Sequence, residues 1–129
     1  MKKFSSLALA LMLVLSGCSS APNNDTAKFK AGSYTGSAKG NNGDVVVEVT
    51  LTQDKIESIS VKQHEETKGL GDTAIERVID EIIKKQSVQV ETVSGATNSS
   101  NATIEAVSAA LKEAGVDVNT LTPQSSNEE

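Results

Sequence analysis

The chain has 129 residues, with 12 basic and 17 acidic side chains, a formal charge of −5 and a single cysteine. That balance excludes a nucleic-acid-binding surface, which needs dense Lys/Arg neutralisation of phosphates, and electrostatic adhesion to anionic lipid. One cysteine excludes an internal disulfide framework and a Cys-ligated metal cluster. The first element is an N-terminal segment in which Lys2 and Lys3 precede an unbroken apolar run, Leu7 to Leu15. Nine apolar residues are too few to span a bilayer, which takes about 20, but they suit the h-region of a secretory signal.

The run leads into Leu15-Ser16-Gly17-Cys18. Small residues before a cysteine resemble the lipobox of bacterial lipoproteins, which implies lipidation at Cys18 and a body held on the extracytoplasmic face of the cell membrane. Residues 1–17 are then a lipoprotein signal peptide. Their loss removes Lys2 and Lys3 and no acid, leaving 10 basic and 17 acidic side chains and a charge of −7. Residues 18–30 are polar and read as a flexible tether. Residues 31–118 form the single folded domain, and residues 119–129 read as a disordered tail.

Within the domain, Gly32 to Ala38 alternates weakly as a first strand, and Lys39 to Gly43 (KGNNG) is a turn. Asp44 to Thr52 is dense in β-branched residues, with Val45, Val47, Val49 and Leu51 on one side. After a tight turn at Gln53-Asp54, Lys55 to Gln63 alternates less cleanly. The period then changes. Thr73-Ala74-Ile75-Glu76 has the form of a capping box, and Ile75, Val78, Ile79, Ile82 and Ile83 recur at helical spacing up to Lys84-Lys85. Val88 to Val93 returns to strand character. A second helix follows from about Ser99, defined by Ala102, Ile104, Val107, Ala110, Leu111 and Ala114, with Gly115 as its stop. Three strands, a helix, a strand and a helix predict an α+β domain, a small antiparallel sheet with two helices packed on one face.

Two loops, each preceding a helix, carry candidate chemistry. One is His64-Glu65-Glu66-Thr67-Lys68-Gly69-Leu70-Gly71; the other is Ser94-Gly95-Ala96-Thr97. The second sets a threonine hydroxyl beside free backbone N–H groups at a helix N-terminus, where a phosphate binds without charged side chains. The same four residues also read as an ordinary turn, with Gly95 supplying backbone freedom and Thr97 or Ser99 capping the helix. His64, the only histidine, reads as a structural loop residue in preference to a metal ligand.

Taken together, the Gly32-x-Tyr34-x-Gly36 opening, the valine-rich hairpin, the His64–Gly71 loop and the Ser94–Thr97 loop resemble the FMN-binding domains that carry flavin covalently. These include the flavin subunits of the Rnf complex and of sodium-translocating NADH:quinone oxidoreductase. The resemblance covers Gly32 to Ala114. It implies FMN joined through its phosphate to Thr97 by a flavin transferase, with Ser94, Gly95 and Ala96 beside the phosphate. It further implies polar contacts from Glu66 and Thr67, a rim shaped by Gly69 and Gly71, and Leu70 against the ring. The family motif has Asp where this chain has Glu91, and Pro where it has Lys68. The expected function is a lipid-anchored electron carrier fed by a membrane quinone or NADH dehydrogenase system, without a metal and without a substrate of its own. The alternative is a cofactor-free structural or ligand-binding lipoprotein that keeps the fold.

Overall fold

In the computed structural model residues 28–124 are described. The elements run β1 (Gly32–Lys39), β2 (Asp44–Leu51), β3 (Ile56–Gln63), α1 (Gly71–Lys85), α2 (Thr97–Glu113) and a short 3-10 turn, Val118–Thr120. The strands form one antiparallel sheet in the order β1-β2-β3, and both helices bury their apolar faces against it in one core, so the class is α+β. The signal segment, Cys18 and residues 125–129 lie outside the described residues.

The strict alternation of β2 puts Val45, Val47 and Val49, each 0% exposed, into that core. Burying a valine side chain contributes about 1.5–3 kcal/mol. The irregular alternation of β3 has a structural cause. Its register against β2 shifts between Thr50 and Leu51 and again between Val46 and Val47. Each shift inserts an extra residue on β3 and resets which side faces inward. Ile56 therefore points into the core opposite Leu51, while Ile59 and Val61 pair with Val49 and Val47 on the same inner face.

On β1, Gly36 sits opposite Val47, under the point where α2 crosses. A β-carbon there would stand 2.6 Å from the amide nitrogen of Ala110 and closer still to the carbonyl oxygen of Ala106. Only glycine admits the helix at this distance, and the small inward residues of α2, Ala102, Ala106 and Ala110, complete the fit. The C-terminus of α2 closes through Gly115 at φ 79, with Val116 donating its N–H to the carbonyl of Leu111 at 2.9 Å. This is the Schellman arrangement that the glycine stop signals.

Several boundaries differ from the sequence reading. Val88 to Val93 does not form a strand, and the described sheet has three strands. The edge of β3 is taken instead by the Gln86 side chain, which accepts from the Ile56 N–H (2.7 Å) and donates to the Ile56 carbonyl (3.0 Å). Helix α1 starts at Gly71, two residues ahead of the Thr73–Glu76 pattern, which therefore does not cap it. Helix α2 starts at Thr97 instead of near Ser99, with neither hydroxyl acting as a cap. The tether and the tail both lose residues to the domain. Phe29 is 4% exposed, its N–H bonded to the Gln53 carbonyl at 3.0 Å. Leu121 is 1% exposed, and the Gln124 N–H reaches the Lys85 carbonyl at 2.9 Å. Isolated apolar residues in polar surroundings give no periodic signal, so composition alone read both stretches as loose.

Candidate functional site

The antiparallel order brings the β1–β2 turn, the end of β3 and the starts of both helices to one edge of the domain. An open cleft of about 320 Å³ lies between them, near the low end of the 300–1,000 Å³ typical of ligand pockets. One wall is the start of α2 and the residues before it, Gly95, Ala96, Thr97, Asn98 and Ser99; the other is Glu66, Thr67, Leu70 and Gly71, with Asn41 closing one end.

Gly95 reaches this geometry at φ 84, a left-handed conformation that costs a side-chain-bearing residue about 1–2 kcal/mol. Its outer side is open space. The chain then turns through Ala96, whose carbonyl accepts the Ser100 N–H at 3.0 Å and the Ser100 hydroxyl at 2.7 Å. The amides of Thr97, Asn98 and Ser99 come before that first intrahelical bond and so have no acceptor within the helix. No side chain caps them, and no acidic residue stands in the first turn of α2. Thr97 itself is exposed. The result is an uncapped positive end of a helix beside a free threonine hydroxyl.

The opposite wall is held by Glu66, 6% exposed. Its carboxylate accepts the N–H groups of Asn41 (2.8 Å) and Asn42 (3.2 Å) and the hydroxyl of Ser99. Burial pushes its pKa up, but the Ser99 hydroxyl, the two amides and the nearby His64 outweigh burial and bring it below the ordinary 4.5. Glu66 is thus ionised at neutral pH. Two further side-chain bonds join the walls to the turn: Asn98 donates to Asn41 (3.2 Å) and Asn42 to Thr67 (3.3 Å). Leu70, 49% exposed, is the exposed large hydrophobic side chain among the described residues, and it stands at the rim of the cleft.

Of the residues expected from the sequence, Glu66, Thr67, Leu70, Gly71, Gly95, Ala96 and Thr97 surround this one cleft. Ser94 and Gly69 do not. Ser94 lines a separate groove of about 630 Å³ between α1 and residues 91–94, together with Glu91 and Arg77. Gly69 turns outward and gives its N–H to Asp72 at 2.7 Å. Asn41 is a cleft residue that the sequence alone does not single out, and Asn98 and Ser99, expected there only through backbone N–H groups or as a helix cap, also line it with their side chains. The NNG turn was visible, but its nearness to α2 follows only from strand register.

The family whose profile is described as "FMN-binding domain" matches residues 40–112. The NADH:acrylate oxidoreductase of Vibrio harveyi is 40% identical over 92 residues, which cover 71% of this chain and 9% of that protein. The urocanate reductase of Eggerthella lenta is 35% identical over 116 residues, 84% of this chain and 19% of that protein. A Treponema pallidum protein described as uncharacterized is 38% identical over 87 residues, 67% of this chain and 24% of its own length. The chain therefore spans between 9% and 24% of the length of these relatives.

Proposed function

Because the chain belongs to the FMN-binding domain family, we propose that it is a membrane-tethered electron carrier whose FMN is joined through its phosphate to Thr97. The observation that carries this reading is the start of α2, where an exposed threonine hydroxyl stands beside helix amides that no side chain caps. A phosphate fits there on chemical grounds. The amides donate to its oxygens, and the helix dipole favours its charge by about 0.3–1 kcal/mol. Gly95 leaves the outer side open, and Leu70 offers an apolar surface for a flat ring. Bound in this cleft, FMN would supply the electron-transfer chemistry that no side chain here can provide.

The chain's own residues supply attachment and placement. Thr97 provides the ester oxygen, the amides of Asn98 and Ser99 hold the phosphate, and Thr67 and Asn41 offer polar contacts along the cleft. The cleft is open and shallow, which suits exchange of electrons with a partner at the surface, and a covalent bond offsets the weak enclosure. A flavin transferase would install the group, and a membrane quinone or NADH dehydrogenase would supply electrons. Lipid at Cys18 would hold the domain at the extracytoplasmic face. The two named relatives are reductases, which accords with a redox role for the shared domain.

The test is direct. The full chain co-expressed with a flavin transferase and then denatured should keep a fluorescent band and gain the mass of FMN less water. Thr97→Ala should abolish both, with little change in thermal stability because Thr97 is exposed, while Thr97→Ser should retain them. An unmodified wild-type chain would favour a cofactor-free lipoprotein instead, a reading to which Glu91 in place of the motif's Asp already lends weight. Cys18→Ala should release the protein from membranes, and persistent attachment would defeat the anchor.

A further inference from the structure

The sequence reading gave Glu66 a polar contact with the cofactor, but its bonds in the structure go to the protein. One oxygen accepts the amides of Asn41 (2.8 Å) and Asn42 (3.2 Å) in the β1–β2 turn, and the other accepts the Ser99 hydroxyl in the first turn of α2. Three of the roughly four acceptor positions of a carboxylate are thereby occupied. The Glu66 N–H donates to His64 Nδ1 at 3.3 Å, which folds its own loop around it. Space for the carboxylate is reserved on two sides. A β-carbon on Gly40 would strike its Oε1, and one on Gly71 would lie 2.7 Å from the Glu66 β-carbon and 2.9 Å from the Ser99 hydroxyl.

These partners belong to segments far apart in sequence, and the sheet ladder does not connect the turn to α2. We propose that Glu66 is the positioning residue of the FMN site, tying the β1–β2 turn and the loop before α1 to the first turn of α2, so that Thr97 is held against the opposite wall of the cleft. The purpose of this tie rests on the FMN reading, whereas the tie itself rests on geometry. Ionisation strengthens it, because hydrogen bonds to a charged acceptor are roughly twice as strong as neutral ones. The glutamate length matters as well. Aspartate is one methylene shorter and cannot reach the turn amides and Ser99 together. Glutamine can accept from the amides with its oxygen and donate to the Ser99 hydroxyl with its nitrogen.

The experiment compares the full chain without flavin as wild type, Glu66→Ala, Glu66→Asp and Glu66→Gln. Amide hydrogen exchange is read at Asn41 for the turn, Ser100 for the first turn of α2 and Val107 for the core. In the Ala and Asp variants, exchange at Asn41 and Ser100 should quicken about tenfold or more, with Val107 unchanged. Glu66→Gln should stay within about threefold of wild type. In parallel, the initial rate of FMN attachment on co-expression with a flavin transferase should fall in the Ala and Asp variants and recover in Gln. Wild-type exchange at Asn41 and Ser100 in Glu66→Ala would overturn the tie. So would equal acceleration at Val107, which would make Glu66 a general stabiliser, or a Gln variant as damaged as Ala. Expected exchange with undiminished attachment would overturn the positioning role. If the wild type takes up no FMN, the function reading fails alone, and the exchange data still decide the tie.

Discussion

Gly36→Ala tests whether the close seat of α2 on β1 supports both the fold and the site. The added β-carbon would lie 2.6 Å from the Ala110 nitrogen and 3.0 Å from the Ala106 carbonyl carbon, with the Ala106 oxygen nearer still. Comfortable carbon contacts lie at about 3.5–4.0 Å, so the helix must withdraw by roughly 1 Å. The obstructing atoms are backbone, and no rotamer change can clear them. A gap of 0.5–1 Å forfeits about a quarter to a half of each dispersion well along the contact. That contact includes Val107 and Leu111, both 0% exposed. Overpacking typically costs about 1–3 kcal/mol, and this case belongs at or above the upper end. For a domain of this size each kcal/mol lowers Tm by about 4–8 °C, so a fall of at least about 12 °C is expected in a thermal melt followed by circular dichroism. Because α2 begins at Thr97, its withdrawal should also slow FMN attachment. Ser37→Ala, at the exposed neighbouring position, should change stability by less than about 0.5 kcal/mol. A Gly36→Ala melt within about 2 °C of wild type would refute the reasoning.

Two other perturbations probe the cleft. The pKa of Glu66 lies below its ordinary 4.5 in the folded chain. The stability it contributes is therefore fully present above that unfolded value and lost as pH falls through the lower folded one. Thermal melts should show the gap between wild type and Glu66→Gln constant above about pH 5 and closing on further acidification; a gap that widens there would reverse the assigned sign. Asn98→Asp would place a carboxylate in the first turn of α2. Its dipole gain of about 0.3–1 kcal/mol offsets the loss of the hydrogen bond to Asn41. Stability should hardly move, while FMN attachment falls because like charges meet at the amides; undiminished attachment would count against a phosphate there.

Local periodicity made much of the fold legible. The β2 alternation, the helical spacing from Ile75 to Ile83 and the Gly115 stop each report a residue's immediate surroundings, and the structure realises all of them. Val88 to Val93 misled because β-branched, apolar content indicates burial and extension but not a partner. Val88 is 8% exposed, yet its carbonyl accepts the Val90 N–H at 3.0 Å in a tight local turn, and Gln86 holds the sheet edge. The two shifts in β3 hid behind its uneven pattern because an inserted residue inverts the period that follows it. The site divides in the same way. Residues in the two loops that precede the helices were legible through the family resemblance, although Ser94 and Gly69 of those loops lie outside the cleft. Asn41 was not, because it reaches the cleft through strand register, and the Ser99 hydroxyl read as a cap and not as a partner of Glu66, because the bonds that occupy Glu66 come from 24 to 33 residues away.

The two helix N-termini provide an internal comparison. Both begin at the same edge of the sheet, and neither receives a hydrogen bond from the side chain at its cap position. At α1 the chain supplies its own acceptors: the Thr67 carbonyl takes the N–H groups of Gly71 (2.8 Å) and Asp72 (3.3 Å), and an acidic side chain adds to it. Asp72 in the first turn accepts the N–H groups of Gly69 (2.7 Å) and Thr73 (2.6 Å); desolvation opposes its ionisation, but these bonds, the Thr73 hydroxyl and the nearby His64 together outweigh it and hold its pKa below the ordinary 3.8. At α2 the first turn contains no acid, and the nearest carboxylate, Glu66, is bound to Ser99 and the β1–β2 turn. A generic requirement for helix capping would act on both ends alike. The difference is accounted for if the anion at α2 comes from outside the chain and is fixed to the one exposed hydroxyl that begins that helix.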